Sequence, residues 1–303
     1  MKELLDAVSD SFFRFFSGAG YREEASVAIS SGFDKSVTLI GSGISVLKPY
    51  LLSEAEDIPD VFIRQRAIRT HALRHILDPD EDVLSSYFEA FCVLTSYKRL
   101  EALMEEAMAF FARALKVEAP HVLLRISSAD RDLLEQAAKL RGNPTLEIDT
   151  RPAEYFRHRY GLDEQHIRGK NLNFAFSSAG MAELDVGNIV VVERNGTPFA
   201  VELAFGCQTA VMGLYGIPSS IQANMISDVI PLDTAAYRKL ADALVVTAHL
   251  ERENIRSCKQ RYPIYLYRKY VRALNYWRER LELPEDQIRC WKEQYLKLEY
   301  GAT

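Results

Sequence analysis

The stretch "GNIVVVERNGTPFAVELAFG", residues 187–206, decides the fold. Two runs rich in valine, isoleucine, alanine and phenylalanine flank Asn195-Gly196. That dipeptide favours a two-residue turn because both residues tolerate positive φ, so the reading is an antiparallel hairpin. Upstream, "VFIRQRAIRT" (61–70) alternates as a strand: Phe62, Arg64, Arg66 and Ile68 face one way, and Val61, Ile63, Gln65, Ala67 and Arg69 the other. A polar loop, "HALRHILDPDEDVLSS" (71–86), leads to a second strand, "YFEAFCVLTSY" (87–97). Antiparallel pairs thus dominate the middle of the chain, and no βαβ alternation supports a doubly wound sheet.

Helices surround this centre. "LLDAVSDSFFRFFSGAGY" (4–21) returns its phenylalanines at helical spacing and ends at Gly18 and Gly20. "RLEALMEEAMAFFARALKV" (99–117) is strongly amphipathic, and "HVLLRIS" (121–127) reads as a buried strand. "VTLIGSGI" (37–44) reads as a short strand with a glycine break, and "YFRHRYG" (155–161) as a helix surface. From Thr234 the pattern is helical, interrupted at Pro263 and Pro284. The fold class is therefore α+β, with a sheet domain over 1–232 and a helical C-terminal domain over 233–303.

At 303 residues, 48% hydrophobic and 26% charged, with a net charge of −5, the composition is that of an ordinary soluble protein. Cys92, Cys207, Cys258 and Cys290 lie far apart with no CxxC spacing, which argues against a zinc knuckle or a disulfide framework and fits reduced cytoplasm. The N-terminal acids do not suit a signal peptide, and no run has membrane-spanning length. The expectation is a cytoplasmic protein without zinc.

Positive charge is concentrated in two places. "FIRQRAIRTHALRHI" (62–76) holds four arginines, two histidines and no acid. It is either a solvated basic strand or a phosphate site, since guanidinium forks hold phosphate oxygens at two points. Between Arg252 and Arg278 there are eight basic residues, one acid and five tyrosines. Such a segment suits a nucleic-acid surface, and equally a helix with a tyrosine-rich buried side. No phosphate loop, dinucleotide fingerprint or nucleophile elbow occurs. His71 and His75 are four apart, but no third metal ligand is near and Arg74 would repel a cation.

The order of these segments resembles the catalytic core of class II aminoacyl-tRNA synthetases, and alanyl-tRNA synthetases in particular. The stretches that carry the likeness are "SFFRFFSGAGYREEAS" (11–26), "VTLIGSGISVLKPYLL" (37–52), "QRAIRT" (65–70), "YFEAFCVLTSY" (87–97), "NIVVVERNGTPFAVELAFGCQTAVMGLYG" (188–216) and "YPIYLYRKYVRAL" (262–274). The resemblance implies an antiparallel catalytic sheet flanked by helices, followed by tRNA-binding helices. It implies that Arg69 points at the α-phosphate of ATP or an adenylate, with Arg74 as a second cation, Phe88 stacked on adenine, and Gly206 letting backbone approach the ligand. Glu202 would hold the substrate's α-ammonium, and Asn188 and Val190 would line the amino-acid pocket. Arg268, Lys269 and Arg272 would contact tRNA. On residues alone, Phe88 reads as a core aromatic and Glu202 as a strand-edge charge.

Departures from the family pattern shape the functional expectation. "GCQT" (206–209) places Thr209 where the family carries the arginine that clamps the ATP tail, at a cost of several kcal/mol in triphosphate affinity. Ala175 in "NFAF" replaces the family's tryptophan and enlarges or re-closes the amino-acid pocket. A chain that keeps the α-phosphate arginine but lacks the tail clamp fits an adenylate-sized ligand better than ATP.

The resemblance thus implies an enzyme of aminoacyl transfer that handles alanine or another small amino acid. It would move that group between charged tRNA and an adenosine-like or other small acceptor. Its nucleotide would be ATP or an adenylate, with Mg²⁺ if ATP is used. No membrane partner is expected, and a homodimer is compatible with the reading. An ATP-dependent ligase, an inactive pseudo-synthetase and a tRNA-binding accessory factor remain open alternatives.

Overall fold

A computed structural model describes residues 1–53, 57–78, 84–176 and 184–301. Its centre is a sheet with strand order β1 (Arg22–Glu23), β2 (Val61–Ile68), β3 (Tyr87–Ser96), β9 (Thr197–Gly206), β8 (Asp185–Arg194), β7 (Ile167–Phe176), β4 (Val122–Ser127) and β5 (Thr145–Asp149). The short β6 (Arg157–Arg159) pairs with the outer part of β7. The run β2-β3-β9-β8-β7-β4 is antiparallel throughout. The α+β expectation holds.

The hairpin forms where the turn dipeptide requires it. Asn195 and Gly196 have φ of 52° and 77°, a turn whose twist matches that of the strands it joins. Alternation then sorts each strand between two apolar layers. Val201, Leu203 and Phe205 join the large cluster under α1 (Lys2–Gly18) and α3 (Leu100–Arg113). Ala200 and Ala204 face the smaller cluster under α2 (Ile44–Leu52). Phe12 of α1 stacks on Phe91 at 4.5 Å between centroids and meets Phe205 edge-on at 5.7 Å, which anchors the helix to β3 and β9.

Two local expectations are corrected. "VTLIGSGI" is not a strand. Ile40 makes single backbone bonds to Ile29 and Ile68, and a Cβ on Gly43 would lie 2.5 Å from that of Cys92, so the segment wedges between elements before α2 begins. "YFRHRYG" is not a helix surface. A 3-10 turn over Ala153–Phe156 leads into β6, and Tyr160 is buried. One βαβ unit does exist, at the sheet edge, where α4 (Arg131–Ala137) connects β4 to the parallel β5. In the loop expected over 71–86, Thr70–His75 form a 3-10 turn and residues 79–83 lie outside the described residues.

The C-terminal part is helical: α6 (Ala235–Arg252), α7 (Arg261–Arg280) and α8 (Glu285–Tyr300), preceded by the short α5 (Cys207–Tyr215). Thr234 caps α6 by accepting from Tyr237 N. Pro263 does not end a helix; it lies in the first turn of α7, where its missing N–H is no loss. Trp277 of α7 belongs to the same apolar cluster as Phe12. Among the described residues, no helix is long and apolar enough to cross a membrane.

Candidate functional site

Of the four arginines of 62–76, the first three are divided by the pleat of β2 and its continuation, and Arg74 lies on the turn beyond. Arg64 and Arg66 face the helices and are neutralised there: Arg64 pairs with the buried Glu89 at 2.5 Å, and Arg66 with the buried Glu299 of α8 at 2.8 Å. Arg69, one residue beyond the strand, continues the opposite face. Its backbone N–H donates to Ser86 O at 2.7 Å. Its Nη1 donates to Ser85 O at 3.3 Å, and its guanidinium lies 3.6 Å from the centroid of Phe88. Among the described residues no carboxylate forms an ion pair with it. Burial lowers its pKa to about 10, opposed by the charge of Asp242.

Arg69 stands on the wall of a cavity of about 310 Å³. Phe88, Gly206, Thr209 and Asn188 share that wall, so five of the residues expected from sequence come together. Gly206 is needed there for space: a Cβ would lie 2.8 Å from the Thr209 hydroxyl and 3.4 Å from the Phe88 ring. Thr209, near the start of α5, has its hydroxyl engaged with backbone carbonyls. It lies between Val186 O (3.0 Å) and Gly206 O (2.9 Å), which share its single proton. The Phe88 ring expected to carry adenine already carries the Arg69 guanidinium.

The part of the wall formed by β7 and β8 is rich in acceptors. Asp185 and Asn173 are on the wall, though neither stood out in the sequence. Asp185 accepts from Arg125 Nη1 at 2.6 Å and from Asn173 Nδ2 at 2.8 Å. Asn171 Nδ2 donates to Asn173 Oδ1 at 2.6 Å. Asn188 Nδ2 lies 3.5 Å from His158 Nε2, while its Oδ1 is buried with no protein partner among the described residues. The available signal was the pair of asparagines in "NLNF", two polar residues on a strand face whose other members are Ile167, Gly169 and Ala175. Asp185 carried no such signal, because β8 reaches the cavity only through the tertiary pairing of β7, β8 and β9.

Several expected residues lie elsewhere. Glu202 is 3% exposed and outside the cavity wall; it accepts from Cys92 Sγ and Tyr160 Oη, each at 3.1 Å. Burial raises its pKa to about 7 against those two hydrogen bonds. Val190 and Ala175 are fully buried and do not line the cavity. Arg74 is exposed on the 3-10 turn, away from the wall. Arg268, Lys269 and Arg272 are exposed on the outer side of α7.

The arrangement has one fixed cation and one carboxylate with spare lone pairs at a cavity walled by Phe88, Phe91, Tyr155 and Phe205, with the buried, unpartnered amide oxygen of Asn188 beside it. Chemically it accommodates an oxyanion at Arg69 and a donor group, such as an ammonium, at Asp185 and Asn188.

No family model matches the chain, and no curated protein matches it. Solved structures similar to it include the aspartyl-tRNA synthetase of Entamoeba histolytica, at 12% identity and a TM-score of 0.43 over 74% of this chain and 57% of that one. The asparaginyl-tRNA synthetase of Pyrococcus horikoshii is similar at 8% identity and a TM-score of 0.44, over 74% and 66%. The S. aureus histidyl-tRNA synthetase is similar at 10% identity and a TM-score of 0.41, over 68% of each chain. The chain thus spans less than two thirds of the length of the first two.

Proposed function

We propose that this chain is a synthetase-like enzyme of aminoacyl transfer, which binds an aminoacyl-adenylate or a ligand of that shape in the cavity at Arg69. The observation that carries the reading is a desolvated guanidinium that has no carboxylate partner among the described residues and stands at a cavity with acceptors on its β7 and β8 wall. A buried cation left unpaired is costly, and an oxyanion on the ligand relieves that cost. In this reading Arg69 holds the α-phosphate or its equivalent. Phe88 braces the guanidinium and walls the base. Asp185 and Asn188 take the α-ammonium, and a small amino-acid side chain such as alanine's fits against Gly187 and Ala204.

Thr209 favours transfer over activation. With Thr209 at that position and no lysine or arginine in Cys207–Tyr215, α5 offers no cation for a triphosphate tail. In the transfer step, an amine or hydroxyl of an adenosine-like acceptor attacks the ester carbonyl of charged tRNA. The new acyl bond forms as the ester C–O bond breaks, and the proton of the nucleophile passes to the departing ribose oxygen. Charged tRNA would approach from the side of α6 and α7, using Arg268, Lys269 and Arg272.

The reading is tested by calorimetry with a non-hydrolysable alanyl-adenylate mimic. Wild-type protein should bind it, and Arg69→Ala should weaken binding by about 1.5–3 kcal/mol, the range for a hydrogen bond to a charged group. Absence of binding to the wild type would remove the proposal. Incubation with tRNA carrying labelled alanine, with and without adenosine-containing acceptors, then reports transfer. Strong pyrophosphate exchange with ATP and one amino acid would instead identify an ATP-dependent ligase.

A further inference from the structure

Helix α7 has two faces of different chemistry. One is buried, with Leu266, Tyr267, Tyr270, Ala273, Leu274 and Trp277 packed into the core. The other carries Tyr262, Tyr265, Lys269, Arg272 and Tyr276 at successive steps of three or four residues, so the five form one continuous stripe. Arg261 and Arg268 flank it, both exposed. The three tyrosines of the stripe are 58%, 45% and 41% exposed.

The rings are already arranged. Tyr262 and Tyr265 stack with centroids 5.6 Å apart and planes inclined by 23°. The ammonium of Lys269 lies 4.8 Å from the centroid of Tyr265. At 1.5 Å per residue, the stripe from Tyr262 to Tyr276 runs about 21 Å along the helix. No acid lies between Glu253 and Glu279, so the field along the stripe is positive. Packing does not require these rings, since the core takes its tyrosines, Tyr267 and Tyr270, from the other side.

Flat exposed rings alternating with cations complement a polymer of flat rings joined by phosphates. A double helix offers its phosphates but hides the faces of its bases, which would leave the tyrosines without a role. An acidic polypeptide would satisfy the cations but not the stacked pair. We infer that the outer face of α7 binds an unpaired stretch of RNA, with bases stacked on Tyr262–Tyr265 and on Tyr276 and phosphates on Lys269, Arg272 and Arg268. This rests on the RNA partner of the proposed function and narrows it to unpaired nucleotides.

Fluorescence anisotropy with a labelled oligouridylate, a blunt RNA duplex, polyglutamate and whole tRNA, each across a salt series, tests the inference. The wild type should bind the oligouridylate and prefer it to the duplex. The double variant Tyr262→Ala, Tyr265→Ala should bind it roughly ten-fold or more weakly, because stacking is lost. The slope of log affinity against log salt should stay unchanged in that variant, because no phosphate contact is lost. Tyr262→Phe with Tyr265→Phe should bind like the wild type. Lys269→Ala with Arg272→Ala should flatten the slope. The inference is overturned if the alanine pair binds as the wild type does, if the duplex binds as well as the single strand, or if polyglutamate competes equally. If whole tRNA still binds in the first two cases, the RNA partner of the proposed function stands. If no RNA binds the wild type, both fail while the adenylate cavity is untouched.

Discussion

A guanidinium that leaves water must recover its hydrogen bonds from its surroundings. For Arg69 the described protein returns one carbonyl, from Ser85, and the face of Phe88, which leaves donors for a ligand. Glu202 shows the opposite outcome, because burial disfavours its charged form more than its two hydrogen bonds favour it. Burial lifts its pKa from 4.5 to about 7, outweighing the hydrogen bonds from Cys92 and Tyr160. The unfolded chain loses this proton near pH 4.5 and the folded chain only near pH 7. Between those values the folded state binds the extra proton, so stability falls as pH rises through the window and levels off above it. The swing from this one group is at most about 3 kcal/mol. Glu202→Gln keeps the shape without the ionisation, and should unfold in urea with a smaller difference between about pH 5 and about pH 8 than the wild type. Asp242 and Glu299, whose pKa values burial also raises, tilt both proteins alike. Equal pH dependence in the two proteins would mean that Glu202 is ionised in the fold.

At the scale of elements, α6 links the helical region to the cavity. Asp242 accepts from Ser86 N at 2.9 Å and Ser86 Oγ at 2.8 Å, and Ser86 O takes the backbone N–H of Arg69. The helix therefore fixes the strap that fixes Arg69, and its charge supports the cationic form of that arginine. Asp242→Asn should weaken binding of the adenylate mimic by about 1–2 kcal/mol at neutral pH. Burial raises the pKa of Asp242 to about 6, so wild-type affinity should fall as pH drops through that value, whereas the Asn variant should be weak and flat there. Calorimetry that finds equal affinities at neutral pH would rule out this coupling. The sequence signal is an acid inside the apolar run "LADALVV", which local reading does not connect to the site because Asp242 acts through a segment 156 residues away. The 187–206 hairpin was legible because strand alternation and its Asn-Gly turn are local properties. Residues 37–44 were not, because their β-like composition yields to the single contacts that pin Ile40 and Gly43. The cavity was half legible: Arg69, Phe88, Asn188, Gly206 and Thr209 lie in recognisable segments, while Asp185 and Asn173 meet only once β7 and β8 have paired.

For the whole molecule, the question is whether the proposed parts 1–232 and 233–303 fold as one unit. Trp277 Nε1 donates to Ile76 O at 2.7 Å, and its ring is buried in the apolar cluster that also holds Phe12 and Phe91. His249 of α6 stacks on Tyr87 of β3 at 4.1 Å and shares hydrogen bonds of 2.8 Å with Tyr295 and Tyr300 of α8. Arg66 reaches from the sheet to Glu299. Separating the parts would expose this apolar surface and strand several buried polar groups, so cooperative unfolding is expected. The chain carries natural probes for both parts. Its two tryptophans, Trp277 and Trp291, lie in the helices, while the buried thiols of Cys92 and Cys207 lie in β3 and α5. In a urea titration the tryptophan emission and the labelling of these two cysteines should change at the same midpoint, after the more accessible Cys258 and Cys290 have reacted. A fluorescence midpoint clearly below the labelling midpoint would mean that the helices melt off an intact sheet. In that case Asp242 could not hold Arg69 under conditions where the rest of the cavity survives, and the proposed route from the RNA-binding face to the cavity would be lost with it.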